Sequence, residues 1–144
     1  MDLSTTSTPS LELILTSLGL TADGLENPAQ EGGVRIEFEQ NFAVEMQENV
    51  HGNCRISSRV CKLGNSLVIQ EQQLNKALNI LGELQDKIPP HVSLAISTHD
   101  NCLRSVLEMP CQAFLNQQEF MLGRFHEFVN FSFAYKQTYI TFHN

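Results

Sequence analysis

The sequence has no tryptophan, and only nine lysine and arginine residues stand against sixteen aspartate and glutamate residues among its 144. The shortage of positive charge leaves a formal net charge of −7 and a pI of about 5.1. No Lys/Arg cluster breaks that balance. A chain of this sign repels phosphate backbones, which removes nucleic acid from the expected partners. No stretch approaches the ~18 apolar residues that a membrane-spanning helix needs, so no membrane insertion is expected. The opening MDLSTTSTPSLELILTSLGL carries no basic residue ahead of its apolar run. It is not read as a secretory signal, and the protein is expected in the cytoplasm. There the four cysteines, Cys54, Cys61, Cys102 and Cys111, should be free thiols.

Chemical signatures are missing too. There is no GxSxG elbow, no Cys-x-x-Cys pair and no local catalytic sequence around any cysteine. Glu31-Gly32-Gly33 precedes a strand pattern and no helix, so it lacks the helix N-terminus that makes a phosphate cradle. The nearest approach to a metal motif is a repeated tetrapeptide. His51-Gly52-Asn53-Cys54 and His99-Asp100-Asn101-Cys102 each place two residues between a histidine and a cysteine. Four zinc ligands would then have to come from two separate loop tips, and the usual paired knuckles are absent. Both tetrapeptides fall where strand-like alternation breaks, and Gly, Asn and Asp favour tight turns. They are read as hairpin tips, with the cysteines as small core residues. Glu37, Glu39 and Glu45 fall on the outward side of two strand patterns, where charge serves solvation, and nothing apolar beside them would raise a carboxyl pKa. His126 reads as a helix-surface imidazole. No catalytic, cofactor-binding or metal residue is therefore assigned.

What is present is hydrophobic patterning: 42% hydrophobic residues, nine of them phenylalanine, in a length that suits one domain with a real core. Residues 1–9 are Ser/Thr-rich and read as a flexible tail, leaving 10–144 as a single domain. Thr8 and Pro9 suit the start of a helix in which Leu11, Ile14, Leu15 and Leu18 recur at helical spacing, closed by Gly19. Residues 21–33 read as a loop. The period then changes to two. Val34, Ile36 and Phe38 alternate with charged residues, as do Phe42, Val44 and Met46, around a turn at Gln40-Asn41. A third strand places Cys54, Ile56 and Val60 opposite Arg55, Ser57 and Arg59.

Helical spacing returns at Leu74, Ala77, Leu78, Leu81 and Ile88, with Ser66 as cap and Pro89-Pro90 as terminator. Val92, Leu94 and Ile96 predict a fourth strand. Leu103, Ser105 and Leu107, or the face bearing Val106, predict a fifth that stops at Pro110. A last helix, capped at Asn116, places Met121, Leu122, Phe125, Phe128, Val129, Ser132 and Tyr135 on one broad face, and the segment 139–144 is too short to assign. The fold class is α+β, in the order α-β-β-β-α-β-β-α, an antiparallel sheet packed against helices. Phenylalanines at 114, 120, 125, 128, 131 and 133, beside a first helix apolar on several sides, exceed the single stripe that core packing requires. The surplus goes to a larger core or to a partner.

Size, acidity and element order resemble the class I chaperones of bacterial type III secretion, the Tir-chaperone (CesT-like) family. The stretches that carry the resemblance are LELILTSLGL, VRIEFEQNFAVEM, SLVIQEQQLNKALNILGELQ, HVSLAIS, NCLRSVLEM and QEFMLGRFHEFVNF, and the resemblance as a whole spans 11–135. The loop at 21–33 is long for that family and the first helix short. The resemblance implies a non-enzymatic protein without cofactor. It implies a chaperone that binds the N-terminal region of a secreted effector or secretion-apparatus protein in extended form and keeps it secretion-competent. It also implies a homodimer, with a heterodimer left open, formed around Leu74, Leu78, Leu81, Val92 and Leu94. The partner-binding candidates are Leu11, Leu15 and Leu18 on the first helix and Ile36, Phe38, Phe42 and Val44 on the first hairpin, each of which also reads as plain core. The alternatives are a small cysteine- or metal-dependent enzyme and an interaction domain of the same fold without a secreted client.

Overall fold

A computed structural model describes residues 33–38, 41–48, 52–98 and 100–141. The expected tail at 1–9, the first helix with Leu11, Leu15 and Leu18, the loop before Gly33, and His51 and His99 lie outside the described residues. The described elements run β1 (Val34–Glu37), β2 (Ala43–Glu48), β3 (Asn53–Lys62), α1 (Leu67–Glu83), a 3-10 turn (Gln85–Lys87), β4 (Val92–Ser97), β5 (Cys102–Pro110), α2 (Cys111–Asn116) and α3 (Gln118–Thr141).

All five strands join one antiparallel sheet in the order β1-β2-β3-β5-β4. The alternation in the first hairpin fixes its register. Val34 faces Met46 and Ile36 faces Val44, so one face of the pair is continuously apolar. Asn41, at φ 60°, takes the left-handed turn conformation that asparagine tolerates, and the Phe38 amide closes the turn on the Phe42 carbonyl at 2.8 Å. Asn101 does the same between β4 and β5, at φ 56°.

β3 and β5 are the central strands, joined across α1 rather than by a hairpin. Their register shifts between Arg59 and Cys61, a bulge at Val60. Central position explains a departure from simple alternation. Ser57, expected on the open face of β3, is buried, because Arg104 of the neighbouring strand donates to its hydroxyl at 3.4 Å. On the opposite face Ser58 donates to the Ala43 carbonyl at 3.0 Å. The Ser105 and Ser132 hydroxyls meet at 2.8 Å, both buried, so these polar core groups are satisfied.

α1 starts where the sequence indicates. The Ser66 hydroxyl accepts the Ile69 amide at 3.2 Å. The approach from β3 is clamped by two glutamines. Gln73 accepts from the Gly64 amide and donates to the Lys62 carbonyl, and Gln70 donates to the Gly64 carbonyl. A Cβ on Gly64 would overlap the Ile69 side chain, so this close approach requires glycine.

The C-terminal helix differs from expectation at its start, and its far end, left unassigned by the sequence, is helical through Thr141. The chain is already helical at Cys111, with Pro110 as N-cap and the Cys111 amide bonded to the Gly52 carbonyl at 2.9 Å. Asn116 ends this short helix and caps nothing that follows. Gln117, at φ −131°, breaks it before α3 begins. At the far end Tyr139 is buried against α1 and β3, in a cluster with Ala77, Ile80, Val60 and Phe131.

Both long helices pack on one face of the sheet and divide the core in two. Val34, Ile36, Val44, Met46, Cys54 and Ile56 meet Phe114, Met121, Phe125 and Phe128 under the β1–β3 half. Val60, Leu63 and Leu103 meet Ala77, Ile80, Phe131 and Tyr135 under the other. Each fully buried Phe contributes about 1.5–3 kcal/mol of hydrophobic stabilisation. The phenylalanines at 114, 125, 128 and 131 are therefore accounted for as core, while Phe120 stays exposed.

Candidate functional site

The sheet has two edges. β1 pairs only with β2 and β4 only with β5, so among the described residues each leaves one row of backbone groups unpaired by a neighbouring strand. Such an edge is a ready template for an added strand. The four partner-binding candidates on the first hairpin separate clearly. Ile36, Phe42 and Val44 are buried core residues, Phe42 edge-on to Phe133 with ring centroids 5.4 Å apart. Phe38, just past the end of β1, is 38% exposed and leans on Phe42. Of these four, Phe38 alone is exposed; Ile36, Phe42 and Val44 pack into the core.

The five dimer candidates lie together on α1 and β4. Leu74, Leu81, Val92 and Leu94 are half-buried against the second core cluster, and Leu78 is 59% exposed. Sequence reading passed over their neighbours. Leu67, Val68 and Ile69 form an exposed apolar first turn on α1, Leu67 at 83%, and Ile96 is exposed on β4. A run of three apolar residues right after a cap was the available signal.

Charge is concentrated on the side of the sheet that carries Arg35, Glu45, Arg59 and Arg104. Arg104, only 9% exposed, donates to Glu45 at 2.6 Å and to Asp100 at 2.7 Å. Arg59 reaches the same Asp100 oxygen at 3.2 Å. Burial works to raise the Asp100 carboxyl, but hydrogen bonds from Arg104 and Ser97 and the charges of Arg104 and Arg59 outweigh it and hold the group well below the usual carboxylate range. Lys136 of α3 donates to the Asn41 carbonyl at 3.0 Å. Burial, with the charges of Arg59 and Arg35, lowers its pKa. Arg35, Asn41, Ala43, Glu45, Arg59, Arg104 and Lys136 together line a cleft of about 120 Å³.

The thiols are placed for packing. Cys54, Cys102 and Cys111 are buried and Cys61 is half-buried, and all four are free. Burial pushes every one of them up. Cys54 rises furthest, and Cys111 reaches about 11 with Glu48 adding to the effect. A thiol so placed is a poor nucleophile at neutral pH. Among the described residues no three His, Cys, Asp or Glu side chains gather as a metal-binding group, and no helix is long and apolar enough to cross a membrane.

No family model matches the chain, and no curated protein matches it. A solved structure does: a chain of the HopA1-SchA chaperone-effector complex aligns with a TM-score of 0.50, covering 88% of this chain and 90% of that one at 11% identity. At that identity the likeness is one of fold: an α+β chain whose five-stranded antiparallel sheet carries its helices.

Proposed function

We propose that the protein is a non-enzymatic chaperone of type III secretion. It holds the N-terminal segment of a secreted protein in extended form, in the bacterial cytoplasm, and keeps it competent for export. The observation that carries this reading is the β1 edge, unpaired among the described residues and flanked by the exposed Phe38, in a fold shared with a chain of a chaperone–effector complex. Strand addition there supplies affinity through main-chain hydrogen bonds that read no sequence. Side chains on alternate positions supply register. A client bound in this way is extended and partly unfolded, which is the state that threading through a narrow channel requires.

A second copy completes the working unit. Leu67–Ile69, Leu78 and Ile96 expose apolar surface on α1 and β4, and burying it between two copies stabilises the pair by about 25 cal/mol per Å² before association costs. The β1 edge on each copy stays available for the client. The test is co-expression with the products of the adjacent genes, followed by affinity capture and light scattering. The expected result is a dimer that retains one such product through its first hundred or so residues. A monomer that retains none contradicts the reading.

A further inference from the structure

We propose that the cleft beside β1 takes the carboxylate of an acidic side chain carried by the partner strand. The inference rests on the strand-addition reading above and adds a chemical preference to it. Four of the chain's nine lysines and arginines, Arg35, Arg59, Arg104 and Lys136, line a recess of about 120 Å³ in a protein of net charge −7. Among the described residues the only carboxylate in the lining is Glu45. Counting the described residues alone, Glu37 beside Arg35 and Asp100 between the other two arginines leave the group one positive charge in excess.

Donors remain for an incoming acceptor. Arg35 Nε is buried and lacks a hydrogen-bond partner among the described residues, although Glu37 Oε1 lies 3.1 Å away. The proximity makes an ion pair, but the alignment does not make a hydrogen bond. Lys136 directs one N–H at Asn41 and carries two more. Arg104 is fixed by Glu45, Asp100 and Ser57, so the floor of the cleft is preorganised. Cations crowded in a half-buried site repel one another, and a carboxylate relieves that repulsion while accepting from two donors at once.

Position selects the source of the carboxylate. Arg35 projects from the edge strand itself, and its register partner Glu45 lies one strand further in on the same face. A chain added along β1 sends every second side chain to that face, about one strand spacing (~4.8 Å) from Arg35. The recess has room for one side chain and not for a helix.

The experiment uses the full-length protein and a fluorescein-labelled nine-residue peptide alternating valine and threonine, with glutamate, glutamine or lysine at its centre. Anisotropy titration is expected to give the glutamate peptide about tenfold tighter binding than the glutamine one, as a charge-assisted bidentate contact supplies. Arg35→Gln and Lys136→Gln should each reduce that preference severalfold, with Arg124→Gln, twelve residues before Lys136 on α3 and outside the cleft lining, leaving it intact. Thermal unfolding confirms that each variant folds. Equal binding of the glutamate and glutamine peptides overturns the proposal while strand addition survives. Binding of neither peptide overturns both. Displacement of the glutamate peptide by equimolar inorganic phosphate assigns the cleft to a small anion and overturns it. Tighter glutamate-peptide binding by the Asp23→Asn/Glu26→Gln/Glu31→Gln variant assigns the cleft to the chain's own acids and also overturns it.

Discussion

The Tyr135 hydroxyl donates to the Ala77 carbonyl at 2.5 Å, tying the last helix to the middle one across 58 residues of sequence. Both residues are buried, so the bond forms away from competing water. Tyr135→Phe keeps the ring and removes the donor. It is expected to lower stability in urea unfolding by about 1 kcal/mol. Tyr135→Ala leaves a cavity and should lower it by about 3–5 kcal/mol. If the two variants lose equal amounts, the ring is not packed as described.

Asp100 joins Arg59 and Arg104, and its folded pKa is depressed. The sign follows from that direction. The stability it contributes is complete above the ordinary carboxylate pKa of about 3.9 and drains away as pH falls through that value and below. Asp100→Asn should cost about 1 kcal/mol at pH 7, since Glu45 still pairs with Arg104. The gap between wild type and variant should narrow below about pH 4 in denaturation curves taken across pH. A gap that widens on acidification would mean the carboxyl is neutral in the folded state.

The thiols provide a check on packing that is independent of any partner. At neutral pH an aromatic disulfide reagent should label Cys61 first and slowly, and Cys54, Cys102 and Cys111 only when the protein opens. All four should react at once in denaturing urea. Rapid labelling of Cys54 in the native protein would place it outside the core and revive a reactive-cysteine reading.

Much of the sheet was legible because its first hairpin buries only one face. Val34, Ile36, Val44 and Met46 alternate cleanly with residues on the open face, and burial follows that pattern. Ser66 and Pro89-Pro90 marked the limits of the middle helical region through local chemistry alone. The strands at the centre were harder to read. β5 is buried on both faces from Cys102 to Leu107, so alternation carries no face information there. The start of α2 at Cys111 depends on a bond to the Gly52 carbonyl, 59 positions earlier, which no local signal reports.

The candidate site divides the same way. An exposed edge can be guessed from a hairpin, but whether Ile36, Phe42 and Val44 face a partner or Phe133 and its neighbours depends on where the last helix lies. The basic cleft was not visible at all, because residues 35, 59, 104 and 136 come from four elements. Arg104 in particular sits inside a continuously buried stretch, Leu103 to Leu107, where it reads as an interruption until Glu45 is brought beside it.

Leu78 tests the pairing of two copies. It is exposed on α1 and makes no contribution to the buried core. Leu78→Glu should leave the unfolding midpoint of the isolated subunit within about 0.5 kcal/mol of wild type, as surface substitutions do. It should shift the light-scattering mass from dimer to monomer. An unchanged dimer would move the interface away from α1.

The most direct test of the account is hydrogen exchange of the full-length protein with and without the N-terminal segment of its client. Strand addition predicts that the amides of residues 34–38 slow by about tenfold or more when the segment binds, as ladder hydrogen bonds replace bonds to water. Binding that leaves β1 exchange unchanged and protects only the apolar first turn of α1 would contradict it.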